Sequence, residues 1–134
     1  MQYLLDTNIC IFFLRGKFNL KSILQEKGVE NYFISELTVF ELRYGAENSE
    51  NPLKSHQAVN KFIQGLSVIP IYGIVYDYAK EKVRLRKNGT PMHDEFDLII
   101  GLTARVNNLK LVTDNIKDFK YLKKIQLENW IYRG

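Results

Sequence analysis

The chain has one cysteine, Cys10, among its 134 residues, so no internal disulfide can brace it. Cys10 lies inside an apolar run and reads as a small core residue. No apolar stretch approaches the roughly 18 residues that would span a bilayer. The first residues also lack the basic, apolar and small-residue segments of a secretory leader, so a cytoplasmic protein with no membrane role is expected. Neither G-x-G-x-x-G nor G-x-x-x-x-G-K-[ST] occurs, which argues against a nucleotide-binding module. The two histidines, His56 and His93, sit in unrelated polar contexts and read as surface residues. A Ser–His–Asp hydrolase therefore has little to build on.

There are no repeats, no low-complexity segment and no linker rich in Pro, Gly or Ser, and residues 1–134 read as a single domain. The composition is 46% apolar and 25% charged, an ordinary globular balance. The net charge of +4 is concentrated in two clusters. Lys80, Lys82, Arg84, Arg86 and Lys87 form the first; Lys117, Lys120, Lys123 and Lys124 form the second. Such clusters attract polyanions through counterion release, although each alone is also what a solvated helix face looks like.

The chain opens with an apolar run, Tyr3-Leu4-Leu5, that stops at Asp6-Thr7-Asn8 before a second run from Ile9 to Leu14. Asp, Thr and Asn cap helices, so the pattern predicts buried strand, tight corner, helix. Further strands are expected at Asn31–Ile34, Ser67–Ile71, Leu109–Thr113 and Ile125–Trp130. Helices are expected around Leu20–Glu26, Glu36–Ala46 after the cap Ser35, from Pro52, at Ile74–Lys87, at Glu95–Val106, and as a short turn at Ile116–Leu122. In the helix from Pro52, Leu53, Val59, Phe62 and Ile63 are expected to face inward. At Ile74–Lys87 the inward set reads as Val75, Tyr78, Ala79 and Val83, leaving Asp77 and Glu81 outside. Strands alternating with helices predict an α/β sandwich around a mainly parallel sheet.

Three acids stand out by position. Asp6 follows the end of a buried strand, where open α/β sheets bind ligands. Glu41 falls on a helical stripe with Leu37, Phe40 and Tyr44, and an inward carboxylate is costly without compensation. Asp97 shares a side with Ile100, Gly101 and Ala104, and Gly101 would admit another backbone closely. Taken singly, Asp97 could merely complement its helix dipole and Asp94 could merely be the cap. Asp114 and Asp118, after the strand ending at Thr113, are further candidates. Carboxylates brought together would repel one another. A hard divalent cation, Mg²⁺ or Mn²⁺, would relieve the conflict and could activate water against a phosphodiester.

The segments L-L-D-T-N-I at residues 4–9, I-S-E-L-T-V-F-E-L-R-Y-G at 34–45, F-D-L-I-I-G-L-T-A at 96–104, L-V-T-D-N-I-K-D-F at 111–119 and L-E-N-W at 127–130 together resemble the PIN-domain ribonucleases, specifically the VapC-type toxins of toxin–antitoxin pairs. The resemblance spans essentially the whole chain. It implies a PIN-like α/β/α sandwich and a Mg²⁺-dependent endoribonuclease, acting on a tRNA or other structured RNA. Asp6, Glu41 and Asp97 match the family's metal acids. Asn115 occupies its fourth position, with Asp114 and Asp118 as possible fourth acids. Thr7, Asn8 and Thr113 are candidates to orient ligands from behind, and Arg84, Arg86, Lys87 and Lys117 to contact RNA. Two partners are implied: a small VapB-like antitoxin that blocks the acidic site with a basic side chain, and a second copy in a homodimer. The alternative is a non-catalytic module that keeps the fold and only binds RNA or protein.

Overall fold

The computed structural model describes residues 1–134, the side chain of Val29 excepted. The opening run forms β1 (Tyr3–Leu5), buried at all three positions. Successive side chains of a strand point to opposite faces. Tyr3 and Leu5 accordingly enter one apolar core and Leu4 the other.

With β2 (Tyr32–Ser35), β3 (Ser67–Ile69), β4 (Lys110–Val112) and β5 (Leu127–Glu128), this strand builds one sheet in the order β3-β2-β1-β4-β5. Every pair is parallel. Parallel neighbours need crossover connections, and helices supply them. α1 (Thr7–Leu14) and α2 (Leu20–Lys27) lead to β2, and α3 (Glu36–Glu47) and α4 (Pro52–Gln64) lead to β3. α5 (Val75–Lys87) and α6 (Glu95–Val106) lead to β4, and α7 (Ile116–Phe119) precedes β5. From β1 the chain steps outward through β2 and β3, then crosses back to β4 on the other flank of β1. The winding reverses between β1 and β4, so their carboxyl ends bound a crevice.

The two faces carry separate cores. Ile9, Cys10, Leu20, Leu24, Val59 and Phe62, from α1, α2 and α4, cover one. Leu85, Leu98, Ile100, Leu102 and Phe119, from α5, α6 and α7, cover the other. α3 straddles the edge, giving Leu37 to the second core and Leu42 and Ala46 to the first. No helix among the described residues is long and apolar enough to cross a membrane.

Some expectations are corrected. β3 stops at Ile69 because Pro70 follows and cannot donate to a ladder. The last strand shrinks to Leu127–Glu128, and Leu53 is exposed in the first turn of α4. On α3, Phe40 and Tyr44 are exposed, so Glu41 lies at the margin of the buried side rather than in its middle. Gly101 does permit close approach, but of side chains. An added Cβ would stand 2.4 Å from Leu122 Cδ1 and 3.2 Å from Phe119 Cδ1.

The largest correction concerns α5. Val75, Ala79 and Val83 are exposed, whereas Glu81 and Leu85 are buried. Glu81 tolerates burial because its carboxylate is fully engaged. Arg84 donates from Nε at 2.8 Å and Nη2 at 2.9 Å, and the Lys123 backbone N–H donates at 2.8 Å. Arg105 Nη1 lies 3.2 Å away. Burial alone would raise the Glu81 pKa, but these donors and charges outweigh it and hold the group down at about 2.

This clamp ties α5 and α6 to residues 121–123. Arg84 also donates to the Tyr121 carbonyl at 2.8 Å, and Arg105 to that of Lys123 at 3.1 Å. Because the folded pKa lies below the unfolded value of 4.5, Glu81 stabilises the fold above that pH and loses its contribution as pH falls toward 2. Glu81→Gln is expected to cost on the order of 2 kcal/mol at pH 7, since it leaves two guanidinium groups under-compensated. Melting curves of both proteins across pH 7 to 2.5 should converge at the acid end, and a constant gap would refute the assignment.

Candidate active site

The crevice between β1 and β4 is a cavity of about 450 Å³ whose walls include Asp6, Thr7, Glu41, Asp97, Asn115 and Asp118. Residues from positions 6 to 121 of the chain meet there, because β1 and β4 are adjacent and α3 and α6 flank their carboxyl ends.

Asp6 sits at the corner after β1 and is 3% exposed. Its Oδ1 accepts the Thr7 backbone N–H at 2.8 Å, the capping bond foreseen for this corner. Its Oδ2 accepts the Thr113 hydroxyl at 2.8 Å, a bond spanning 107 residues of sequence. The Asn115 backbone N–H donates to Thr113 Oγ1 at 2.9 Å, so the corner after β4 is locked to the corner after β1. Burial raises the Asp6 pKa; the two hydrogen bonds oppose this, while Glu41 and Asp94 push it up again.

Glu41 reaches the crevice from α3, and its Oε1 accepts the Thr7 hydroxyl at 2.6 Å. A hydroxyl has one proton to give. Since Thr7 spends it on Glu41, the buried Thr38 must donate in the 2.9 Å contact with Thr7 Oγ1. Thr38 was not singled out in the sequence. Its signal is its place one helical turn before Glu41, on the same face.

Asp97 enters from the first turn of α6. Its backbone N–H is capped by Asp94 Oδ1 at 3.1 Å, so Asp94 acts as the helix cap and also lines the cavity. No hydrogen bond to the Asp97 carboxylate occurs among the described residues. Burial raises its pKa first, and the charges of Asp6, Asp94, Glu41 and Asp118 add to it, bringing the value to about 7.

The geometry separates the remaining candidates. Asn115 and Asp118 line the cavity and are bonded to each other, Asn115 Nδ2 donating to Asp118 Oδ2 at 2.6 Å. Asp114 points elsewhere. Arg133 grips it with two bonds of 2.8 and 2.6 Å, and this pairing holds its pKa below the usual carboxylate range. Asn8 and Lys117 are on the wall, whereas Arg84 is committed to Glu81 and the Tyr121 carbonyl. Arg86 and Lys87 are exposed in the last turn of α5. His93, with Met92 and Pro91, borders the cavity from the loop before α6, and Tyr121 borders it from the opposite loop. His56 lies away from it, bonded to Glu47 and Arg43.

The ligating atoms on offer from the acids and amide are all oxygens, the set a hard divalent cation prefers. Among the described residues no group of three acids, histidines or cysteines closes tightly enough to ligate an ion as it stands. Asp6 is fixed by its two bonds and Glu41 by the Thr7 hydroxyl, so closure would fall to Asp97. A partly buried carboxylate without a hydrogen bond, crowded by four others, fits a site built for positive charge.

Comparison with known proteins identifies the family. The PIN domain family matches residues 3–125. The chain belongs to the PIN domain family, in its VapC branch. Ribonuclease VapC2 of Rickettsia felis is 30% identical over 135 residues, covering 97% of this chain and 98% of that protein. The tRNA(fMet)-specific endonuclease VapC of Shigella flexneri is 29% identical over 138 residues, with the same coverage of 97% and 98%. Among solved structures, VapBC2 from Rickettsia felis bound to a promoter DNA fragment superposes with a TM-score of 0.84 at 29% identity, covering 97% of this chain and 99% of that one. The PIN α/β/α architecture read from the motifs is thereby established.

The crowding around Asp97 has a thermodynamic consequence. The folded protein holds the Asp97 proton to about pH 7, whereas the unfolded chain releases it near 3.8. Between those values stability falls as pH rises, because the native state binds the extra proton. With chelator present, Asp97→Asn is expected to raise the melting temperature at pH 8 and leave it nearly unchanged at pH 4. Equal melting temperatures at pH 8 would show that the carboxylates do not repel across the cavity.

Proposed function

We propose that this PIN domain is a Mg²⁺-dependent endoribonuclease, the toxin of a VapBC pair acting in the cytoplasm, with tRNA or another structured RNA as substrate. The observation that carries the reading is the convergence of Asp6, Glu41 and Asp97 at the sheet's switch point, with Asp97 unpaired and its pKa raised to about 7. The names of the Rickettsia and Shigella relatives support ribonuclease chemistry, and the Shigella name supports tRNA.

Asp6, Glu41 and Asp97 would hold the cation, Mg²⁺ or Mn²⁺, with Asn115 or Asp118 completing the set. When bound, the ion supplies charge neutralisation at the phosphodiester and a water of lowered pKa. Thr113 and the Thr7 amide fix the orientation of Asp6, and the Thr38–Thr7 relay fixes Glu41. Lys117, on the cavity wall, would meet a phosphate oxygen.

An acidic cavity also suits a basic side chain from an antitoxin, and the solved VapBC neighbour supports such a partner. A second cleft of about 440 Å³, lined by Phe13, Leu14, Leu24, Tyr32 and Phe62, opens at the far end of α1. The eight residues of α1 span about 12 Å, so a peptide laid along it would link apolar cleft and acidic cavity. Homodimer formation is supported by the exposed apolar residues Tyr72, Val75, Tyr76 and Val83 in and before α5.

Purified protein is expected to cleave RNA with Mg²⁺ and to stop when EDTA is added. Thr113→Val should lower the rate by about 10–100-fold, the usual effect of losing an orienting partner. Asp6→Asn, Asp97→Asn and Glu41→Gln should each do more damage while the fold persists by circular dichroism. Undiminished cleavage by any of these three carboxylate variants would remove that residue from the site.

A further inference from the structure

The two basic clusters of the sequence are 30 residues apart and would ordinarily be read as separate solvated faces. In the fold they meet. A cleft of about 350 Å³ between α5, α6 and the loop before β5 is lined by Lys80 and Arg84 of the first cluster, by Lys123 and Lys124 of the second, and by Arg105. Its two acids are Asp77 and Glu81, and Glu81 is consumed by Arg84, Arg105 and the Lys123 N–H. Five cations against two acids leave an excess of three positive charges on one concave surface.

Three features suit this cleft to a polyanion. Lys80, Lys123 and Lys124 are exposed and form no ion pair among the described residues, so their charge faces solvent. The loop that carries two of them is rigidly held, because Arg84 and Arg105 bind the carbonyls of Tyr121 and Lys123. Lys124 adopts a left-handed backbone with φ 60°, which sets where its side chain leaves the loop. Preorganised cations lose less freedom on binding than a flexible tail would.

The cleft and the acidic cavity have no lining residue in common, and Tyr121 connects them. Tyr121 borders the cavity, while its carbonyl is bound by Arg84, which lines the cleft. Lys120 Nζ lies 5.1 Å from the centre of the Tyr121 ring, so the ridge between the two sites is itself cationic and aromatic, a surface suited to a base or ribose.

We infer that the α5–α6 cleft, through Lys80, Lys123 and Lys124, is a second anchoring site for the phosphate backbone of the RNA whose scissile bond lies in the acidic cavity across the Tyr121 ridge. The inference rests on the ribonuclease reading above. It adds a requirement for length: a short oligonucleotide would fill the cavity alone, whereas a folded RNA would engage both sites.

The test uses the full chain carrying Asp97→Asn, to prevent cleavage, and two probes, unfractionated tRNA and a fluorescent hexaribonucleotide. Lys80→Ala/Lys123→Ala/Lys124→Ala is expected to weaken tRNA binding roughly ten-fold or more at moderate salt and to reduce the slope of log affinity against log salt by about two. Hexanucleotide affinity should not change. A charge-matched control, Lys21→Ala/Lys54→Ala/Lys61→Ala, removes three exposed lysines from α2 and α4 and should leave tRNA binding close to the parent's. Unchanged melting temperatures verify that all variants are folded. Equal losses from the two triple variants, or unchanged tRNA binding by the first, would overturn the anchoring site alone. A parent protein that binds neither RNA would overturn the ribonuclease reading as well.

Discussion

The bond from the Thr113 hydroxyl to Asp6 is the constraint on which the rest of the site depends. It joins the ends of two strands that are neighbours in the sheet but 107 residues apart in the chain. Because both strands are parallel and central, their carboxyl ends emerge on the same side, and the reversal of winding leaves the space above them uncovered. Asp6 is buried there, and a buried carboxylate without partners would be neutralised or expelled. Its two hydrogen bonds make the position tenable while leaving it beside Glu41 and Asp97.

The site is therefore a compromise between fixation and repulsion. Threonines hold Asp6 and Glu41 from behind, whereas Asp97 has burial and like charge against it and nothing among the described residues to offset them. The opposite solution stands at the other end of α6, beside Arg105 in its last turn. Glu81 is more completely compensated than any acid of the cavity, with two arginines and a backbone N–H around it. One buried acid thus organises structure, pinning residues 121–123 onto α5 and α6, while Asp97 stays crowded and without a hydrogen bond among the described residues. The contrast in their pKa values, about 2 for Glu81 and about 7 for Asp97, is the electrostatic record of that division.

The loop after α7 links both arrangements. Leu122 and Phe119 pack over Gly101, where a side chain would collide, and Arg84 and Arg105 bind the carbonyls of Tyr121 and Lys123. A loop seated this firmly can present Tyr121 to the acidic cavity and Lys123 and Lys124 to the neighbouring cleft at the same time.

The order of strands and helices, the parallel sheet and the corner at Asp6 were legible in the chain, because capping residues and apolar runs are local signals. The motifs around Asp6, Glu41 and Asp97 also identified the family before any contact was known. Which side of a helix is buried was not legible where a polar residue has long-range partners. On α5 the pattern favoured Val75, Ala79 and Val83, and only Arg105 and the Lys123 amide, distant in sequence, make Glu81 the inward residue. The choice among Asp114, Asn115 and Asp118 was likewise undecidable from spacing. Arg133 draws Asp114 away, and that contact exists only once the C-terminal segment has folded back. Local sequence determined the elements and named the acids; the tertiary structure decided which of them face one another, because repulsion and compensation act through space rather than along the chain.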